Sequence, residues 1–405
     1  MQLPRHPMLL PAVVFVCLCV CVCFYVPSNF VHCEYMHFGD KILFSGIFVL
    51  GLPYALLHSG YSELLLIILA AIFCCYTSKI LIACLYEENE DRQLVRVRGT
   101  YEDITNSCCR RLFPKFGGRV VNVTQITELV MTCILYLVIS GNFLFHSFSA
   151  LLMTEKTWSI IAFIGLLPCV FIQTLKVVSR LSLLCSLAPL VLGKAQPVEF
   201  ESFLISVGVI IFSYTSQIFL PTLKESMQNP REFRSVLNWT HFLVFIFKII
   251  FAMTALLTWG EETKEVIIDN FHSFLQTSVN LCLLAKALLS YPLPFFTVTK
   301  ILHSHISPRD KVNYKSPWLA VPIKSALLLL TLLMAMFIPH FVLLMGLTGS
   351  VTGAAMTFLL PPFFHLKLKW EKLMHFEKCA DILVFIFCTL AGLICSIKNL
   401  LKTLG

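Results

Sequence analysis

A chain of 405 residues that is 57% hydrophobic and only 13% charged is too poor in charge to cover a soluble surface, which carries about 25% charged residues. Its formal charge of +8 is dispersed through short loops, with no basic module set apart, and this excludes a nucleic-acid-binding domain. Most of the seventeen cysteines lie in apolar runs, among them Cys17, Cys19, Cys21 and Cys23, or Cys74 and Cys75, and read as small hydrophobes rather than a disulfide framework or a zinc site.

In chain order, Met8–Val26 is an apolar, cysteine-rich stretch behind Arg5 and His6. It reads either as a signal peptide or as an extra helix. Eleven apolar segments follow, at Lys41–His58, Ser62–Tyr86, Asn122–Phe148, Trp158–Leu175, Leu181–Gly193, Phe203–Leu220, His241–Trp259, Leu275–Val298, Pro322–Pro339, Phe341–Phe364 and Ala380–Ile397. Most approach or exceed the ~20 residues that cross a bilayer as a helix. The fifth rises only about 20 Å against a hydrocarbon core of ~30 Å, so it is expected to be truncated. None shows the short alternating pattern of a transmembrane barrel. The fold class is therefore an all-α polytopic membrane protein. Residues 1–40 are an atypical N-terminal segment, 41–400 the transmembrane unit and 401–405 a short tail.

Lysine and arginine fix the expected orientation. With the start of the first segment cytosolic, the loops at 87–121, 176–180, 221–240, 299–321 and 365–379 hold 20 basic residues, and the opposite loops and tail hold 5. Dropping the short fifth crossing would reverse every later loop. The sequons at Asn122 and Asn238 then face the cytosol and are expected to be unglycosylated.

Several motifs stand out inside the spans. Gly51-Leu52-Pro53-Tyr54-Ala55 combines a residue free of Cβ with one that removes a backbone donor. Freed backbone groups in mid-membrane need a partner, which a bound solute can supply. Ser213-Tyr214-Thr215-Ser216-Gln217, with Pro221 beyond it, is a polar run too costly for a span unless it lines a cavity or pairs with neighbours. Serine and threonine bonding back to their own helix is the competing account. Two interrupted helices five apart is the spacing of a five-plus-five inverted repeat with broken first and sixth helices. Gly51, Leu52, Pro53 and Tyr54, with Tyr214, Thr215 and Ser216, are the expected substrate-binding residues. Backbone donors and hydroxyls are expected to meet a zwitterion's carboxylate there.

Glu128, Lys248 and Lys286 are ionisable groups inside spans, and such groups mark function by default; a structural ion pair or snorkelling is the competing account, the latter above all for Lys248, nearer an end. Glu128 is expected to take up and release the coupling proton, with a lysine as counter-charge. Gly346, Gly349 and Gly353 allow close helix approach. No phosphate-cradling loop or nucleophile constellation in a soluble domain is present, so neither an enzyme nor a cofactor is expected.

The block from Gly51 to Ala55, Cys74–Asp91, Gly117–Tyr136, Phe212–Pro221, Asn238–His241, Ala285–Phe296 and Pro339–Ala354 resemble, in order, the vesicular inhibitory transporters of the amino acid/auxin permease family. The resemblance spans about residues 46–400. It implies exchange of luminal protons for cytosolic GABA or glycine at a synaptic vesicle membrane, on a fold with broken first and sixth helices. A non-transporting, amino-acid-binding relative is the alternative reading. A carrier of other small neutral amino acids at the lysosome or plasma membrane is a third.

Overall fold

The computed structural model describes residues 50–59, 62–89, 94–110, 116–148, 153–171, 200–225, 232–259, 273–306, 317–337 and 341–404. The expectations for the N-terminal segment, residues 41–49 and the fifth apolar segment lie outside the described residues. The helices are α1 (Leu52–Ser59), α2 (Ser62–Cys84), α3 (Tyr101–Cys109), α4 (Phe116–Ser147), α5 (Glu155–Phe171), α6 (Phe200–Ser213), α7 (Leu220–Glu225), α8 (Phe233–Trp259), α9 (Ser273–Ser290), α10 (Pro292–Ile306), α11 (Pro317–Phe337), α12 (Phe341–Thr348), α13 (Leu360–Lys369) and α14 (His375–Leu404). Among the described residues, five helical stretches are long and apolar enough to cross a membrane: Leu64–Cys84, Phe116–Ser147, Phe233–Met253, Val279–Ile306 and Leu344–Lys369.

The core is mostly apolar, yet it also encloses many polar groups, and large apolar side chains face outward. Thr77, Gln125, Glu128, Gln217, Lys248, Asn280, Lys286 and Asp381 are buried, while Leu65, Ile72, Ile164, Leu243, Leu329 and Phe387 are exposed. An apolar outside and enclosed polar groups suit a bundle solvated by lipid, where polar groups must find partners within the protein. The axis of the bundle is α4, which packs against α3, α5, α9, α10, α11 and α12. At about 1.5 Å per residue, its 32 residues run ~48 Å, so it projects well beyond the hydrocarbon layer.

Proline accounts for the split between α9 and α10. Pro292 and Pro294 follow a turn at Tyr291, and proline obstructs the carbonyl one turn earlier. The segment expected to end at Val298 is therefore interrupted at Tyr291 and continues to Ile306. Beyond Thr348 the helix widens into π turns at Gly349–Gly353 and Ala355–Leu359 before α13 begins. Helix α14 runs on to Leu404, into the residues read as a tail.

The stretch 87–121, read as a loop, contains ordered structure. Strands β1 (Tyr86–Glu88) and β2 (Leu94–Arg96) pair antiparallel, and Thr100 and Asp103 cap α3 reciprocally. Arg98 Nη1 donates to the Cys84 carbonyl at 3.0 Å, satisfying an open acceptor at the end of α2. Arg96 Nη2 reaches the Pro221 carbonyl at 3.4 Å, which ties the hairpin to α7. The Tyr101 hydroxyl donates to the Met356 carbonyl at 3.2 Å, inside the second π turn.

Candidate functional site: a broken helix between two buried charges

The sixth apolar segment is discontinuous. Helix α6 stops at Ser213, a three-residue turn of 3₁₀ helix covers Gln217–Phe219, and α7 resumes at Leu220. The last turn of α6 tightens, with Thr215 N donating to Phe212 O at 3.1 Å. Ser216 N then folds onto Tyr214 O at 2.8 Å and onto its neighbour's Gln217 Oε1 at 3.2 Å. Pro221 has no N–H to return to Gln217, so the intervening turn cannot close as α-helix. Ser213 and Thr215 hydroxyls bond back to Ile210 O at 2.7 Å and Phe212 O at 2.6 Å. Self-satisfaction, the competing account, thus holds for two of the five polar residues.

Gln217 anchors the break to α2. Its side chain is fully buried, and its Nε2 lies 3.0 Å from Cys74 Sγ, 3.2 Å from Ser78 Oγ and 3.3 Å from Thr77 Oγ1. Cys74 donates in turn to Tyr214 O at 3.4 Å. It is therefore a hydrogen-bonding residue of the site, not the plain hydrophobe expected. His241 of α8 bonds Leu237 O through Nδ1 at 2.9 Å. A carbonyl only accepts, so Nδ1 carries the proton and Nε2 faces Cys74 and Ser78 as acceptor, 3.5 Å from each.

Opposite charges flank this break. From α8, the buried Lys248 donates to Ser213 O and, at 3.1 Å, to Ser213 Oγ. Its ammonium lies 3.3 Å above the Tyr214 ring, and the buried Tyr214 Oη has no hydrogen-bond partner. From α4, the buried Glu128 takes a hydrogen bond from Thr352 of the first π turn on Oε2 and faces the Thr215 hydroxyl. Its Oε1 has no hydrogen-bond partner. A Cβ on Gly353 would stand 3.7 Å from that oxygen and 2.9 Å from Thr215 Cγ2, so the missing side chain is what lets the three elements meet.

Lys248 gives its ammonium to the α6 carbonyl of Ser213 rather than to Glu128. Lys286, also buried, lies on α9. Gly51 packs against α6 and α12, where a Cβ would meet Met345 Cε at 2.7 Å and Val209 Cγ1 at 3.5 Å. Leu52 and Pro53 are buried and Tyr54 half-buried. The Ser206 hydroxyl donates to the Ala55 carbonyl at 3.1 Å, so the first-segment residues sit beside α6 ahead of its break.

A second buried cluster escaped the sequence reading. Tyr76 of α2 donates to Asp381 Oδ1 at 2.6 Å, and His365 Nδ1 of α13 meets Asp381 Oδ2 at 2.8 Å. Asp381 is fully buried. Helix α2 meets the consecutive helices α13 and α14 on one carboxylate, with Tyr76 far away in sequence, and no local pattern announces that.

A lipid-facing bundle that buries charge around an interrupted helix is the make-up of a membrane carrier for polar solutes. Residues 42–402 match the family model described as "Transmembrane amino acid transporter protein", and the chain belongs to that family. It is 51% identical to the vesicular inhibitory amino acid transporter of Xenopus tropicalis, over 88% of this chain and 75% of the relative. The human protein of the same name is 49% identical over 88% and 74%. The vesicular GABA transporter of Caenorhabditis elegans is 34% identical over 83% and 72%.

Proposed function

We propose that this chain is a secondary active transporter that exchanges luminal protons for cytosolic GABA or glycine across a vesicle membrane. The observation that carries the proposal is Glu128, a buried carboxylate with one open oxygen, set against Thr215 where the helix is interrupted. A group there senses both a proton and the arrangement of the break. The named relatives, vesicular carriers of inhibitory amino acids and of GABA, support the substrate class. The domain division at 41–400, eleven crossings, the five-plus-five repeat and a cytosolic start to the transporter unit belong to the same reading.

Gly51, Leu52, Pro53 and Tyr54 frame one side of the substrate site, and Tyr214, Thr215 and Ser216 the other. Glu128 carries the proton. Lys248 and Lys286 supply the positive charge that the ionised carboxylate meets in the other state of the carrier. The driving force is adequate, at about 1.4 kcal/mol per pH unit per proton and about 2.3 kcal/mol per charge for each 100 mV.

The test is uptake into proteoliposomes with an acid interior, with counterflow from preloaded vesicles alongside. Glu128→Gln should abolish gradient-driven accumulation and retain counterflow at saturating substrate. A variant that concentrates GABA as wild type does would place the coupling elsewhere.

A further inference from the structure

We infer that the break is an electrically polar cradle in which Lys248 holds the carboxylate of the amino acid and Glu128 its ammonium. The inference rests on the reading of the break as the substrate site, and it replaces the backbone donors that the sequence offered for the carboxylate. Both groups are buried, and both address the three-residue stretch Ser213–Thr215. Lys248 binds Ser213 and lies over Tyr214, while Glu128 faces Thr215. They do not pair with each other, and neither meets an opposite charge among the described residues. Buried ions without counter-ions are costly in membrane or protein, and a zwitterion relieves both at once.

The remaining polar groups point the same way. Tyr214 Oη is buried and unpartnered on the ring that carries the lysine ammonium, ready to donate to a carboxylate oxygen beside it. Glu128 Oε1 is unpartnered next to the gap left by Gly353, ready to accept from an ammonium. The two groups meet residues only two apart in the chain, Ser213 and Thr215. A small neutral amino acid carries both complementary charges on one short molecule, whereas a simple amine or a simple acid gains only half of its contacts.

The experiment measures ligand-induced thermal stabilisation of the purified full chain, which needs no gradient. The ligands are GABA, propylamine, which lacks the carboxylate, and butyrate, which lacks the amine. Wild type should bind GABA at least tenfold more tightly than either. Lys248→Met should lose tenfold or more for GABA and leave propylamine unchanged. Lys248→Arg, which keeps the charge, should retain the preference for GABA over propylamine and decides the matter where the methionine variant does not fold. Glu128→Gln should erase the preference over butyrate. GABA affinity unaltered in a folded Lys248→Met protein, equal losses for GABA and propylamine, or an arginine variant without the preference would each overturn the inference. The proton-exchange reading fails separately, through gradient-driven uptake by Glu128→Gln.

Discussion

Replacing Gly208 by Ala adds one methyl group at the tightest helix crossing in the molecule's described part. A Cβ there would lie 2.8 Å from the Gly346 carbonyl carbon and 2.9 Å from its Cα, and nearer still to the carbonyl oxygen. Carbon–carbon contacts are comfortable at about 3.5–4.0 Å, and because the carbonyl oxygen is nearer than either carbon, α6 and α12 must part by at least about 1 Å. The obstacle is backbone, which cannot swing aside as a side chain does. Overpacking of this kind costs about 1–3 kcal/mol, offset by ~0.5–1 kcal/mol for removing a glycine from a helix interior. Because α6 ends at the break, the displacement also moves Ser213 and Thr215 away from their partners. Gly208→Ala should therefore lower the thermal midpoint in detergent and weaken GABA binding about tenfold. Gly165→Ala is the control, since its Cβ would meet only Leu288 Cδ1, at an ordinary 3.9 Å, and it should be neutral or slightly stabilising. Equal midpoints for the two variants, or a Gly208→Ala protein as stable as wild type, would refute the reasoning.

Other outcomes follow from the same geometry. Thr215→Val combined with Ser216→Ala should reduce substrate affinity roughly tenfold in an equilibrium binding assay, a loss of about 1.4 kcal/mol, with expression intact; unchanged affinity would remove the sixth segment from the site. Asp381→Asn keeps the shape but halves the acceptor capacity that serves Tyr76 and His365, and should cost about 1–3 kcal/mol of stability, read as a lower thermal midpoint with substrate affinity unmoved. A cysteine placed at Arg96 should react with impermeant reagents only from the cytosol, and one at Glu262 only from the lumen; labelling of both from one side would sink the eleven-crossing topology.

What could be read from sequence depended on whether the signal was local. The interruption at Ser213–Gln217 was legible because a run of polar residues inside an apolar segment conflicts with its surroundings. The glycines at 346, 349 and 353 were legible as sites of close approach, and two of them meet Gly208. The role of Gln217 as an anchor was not legible, because Cys74, Thr77, Ser78 and His241 come within reach only once α2 and α8 have packed. The Asp381 cluster was hidden for the same reason. Helix α3 was a different kind of miss. Thr100 and Asp103 stand at the spacing of a capping box, a local signal of a helix start inside a stretch whose charge alone reads as loop. The π turns had no such signal, since widening a helix around Thr352 depends on what it packs against.

The two charges beside the break also bear on what the carrier does with nothing bound. An unloaded site in the arrangement described holds an ammonium and a carboxylate, each without a counter-ion among the described residues, and both stay uncompensated until the passage brings the carboxylate to a lysine. A penalty of ~3 kcal/mol for that passage slows it about 150-fold, whereas an occupied or protonated site is spared much of it. Passage of the vacant, unprotonated carrier is then slow, and the exchange cycle avoids it by returning protonated. A vesicle filled by such a protein keeps its contents after the gradient decays, and leakage into substrate-free medium should lag far behind exchange against external amino acid. Retention, on this view, comes from the same buried residues that recognise the cargo.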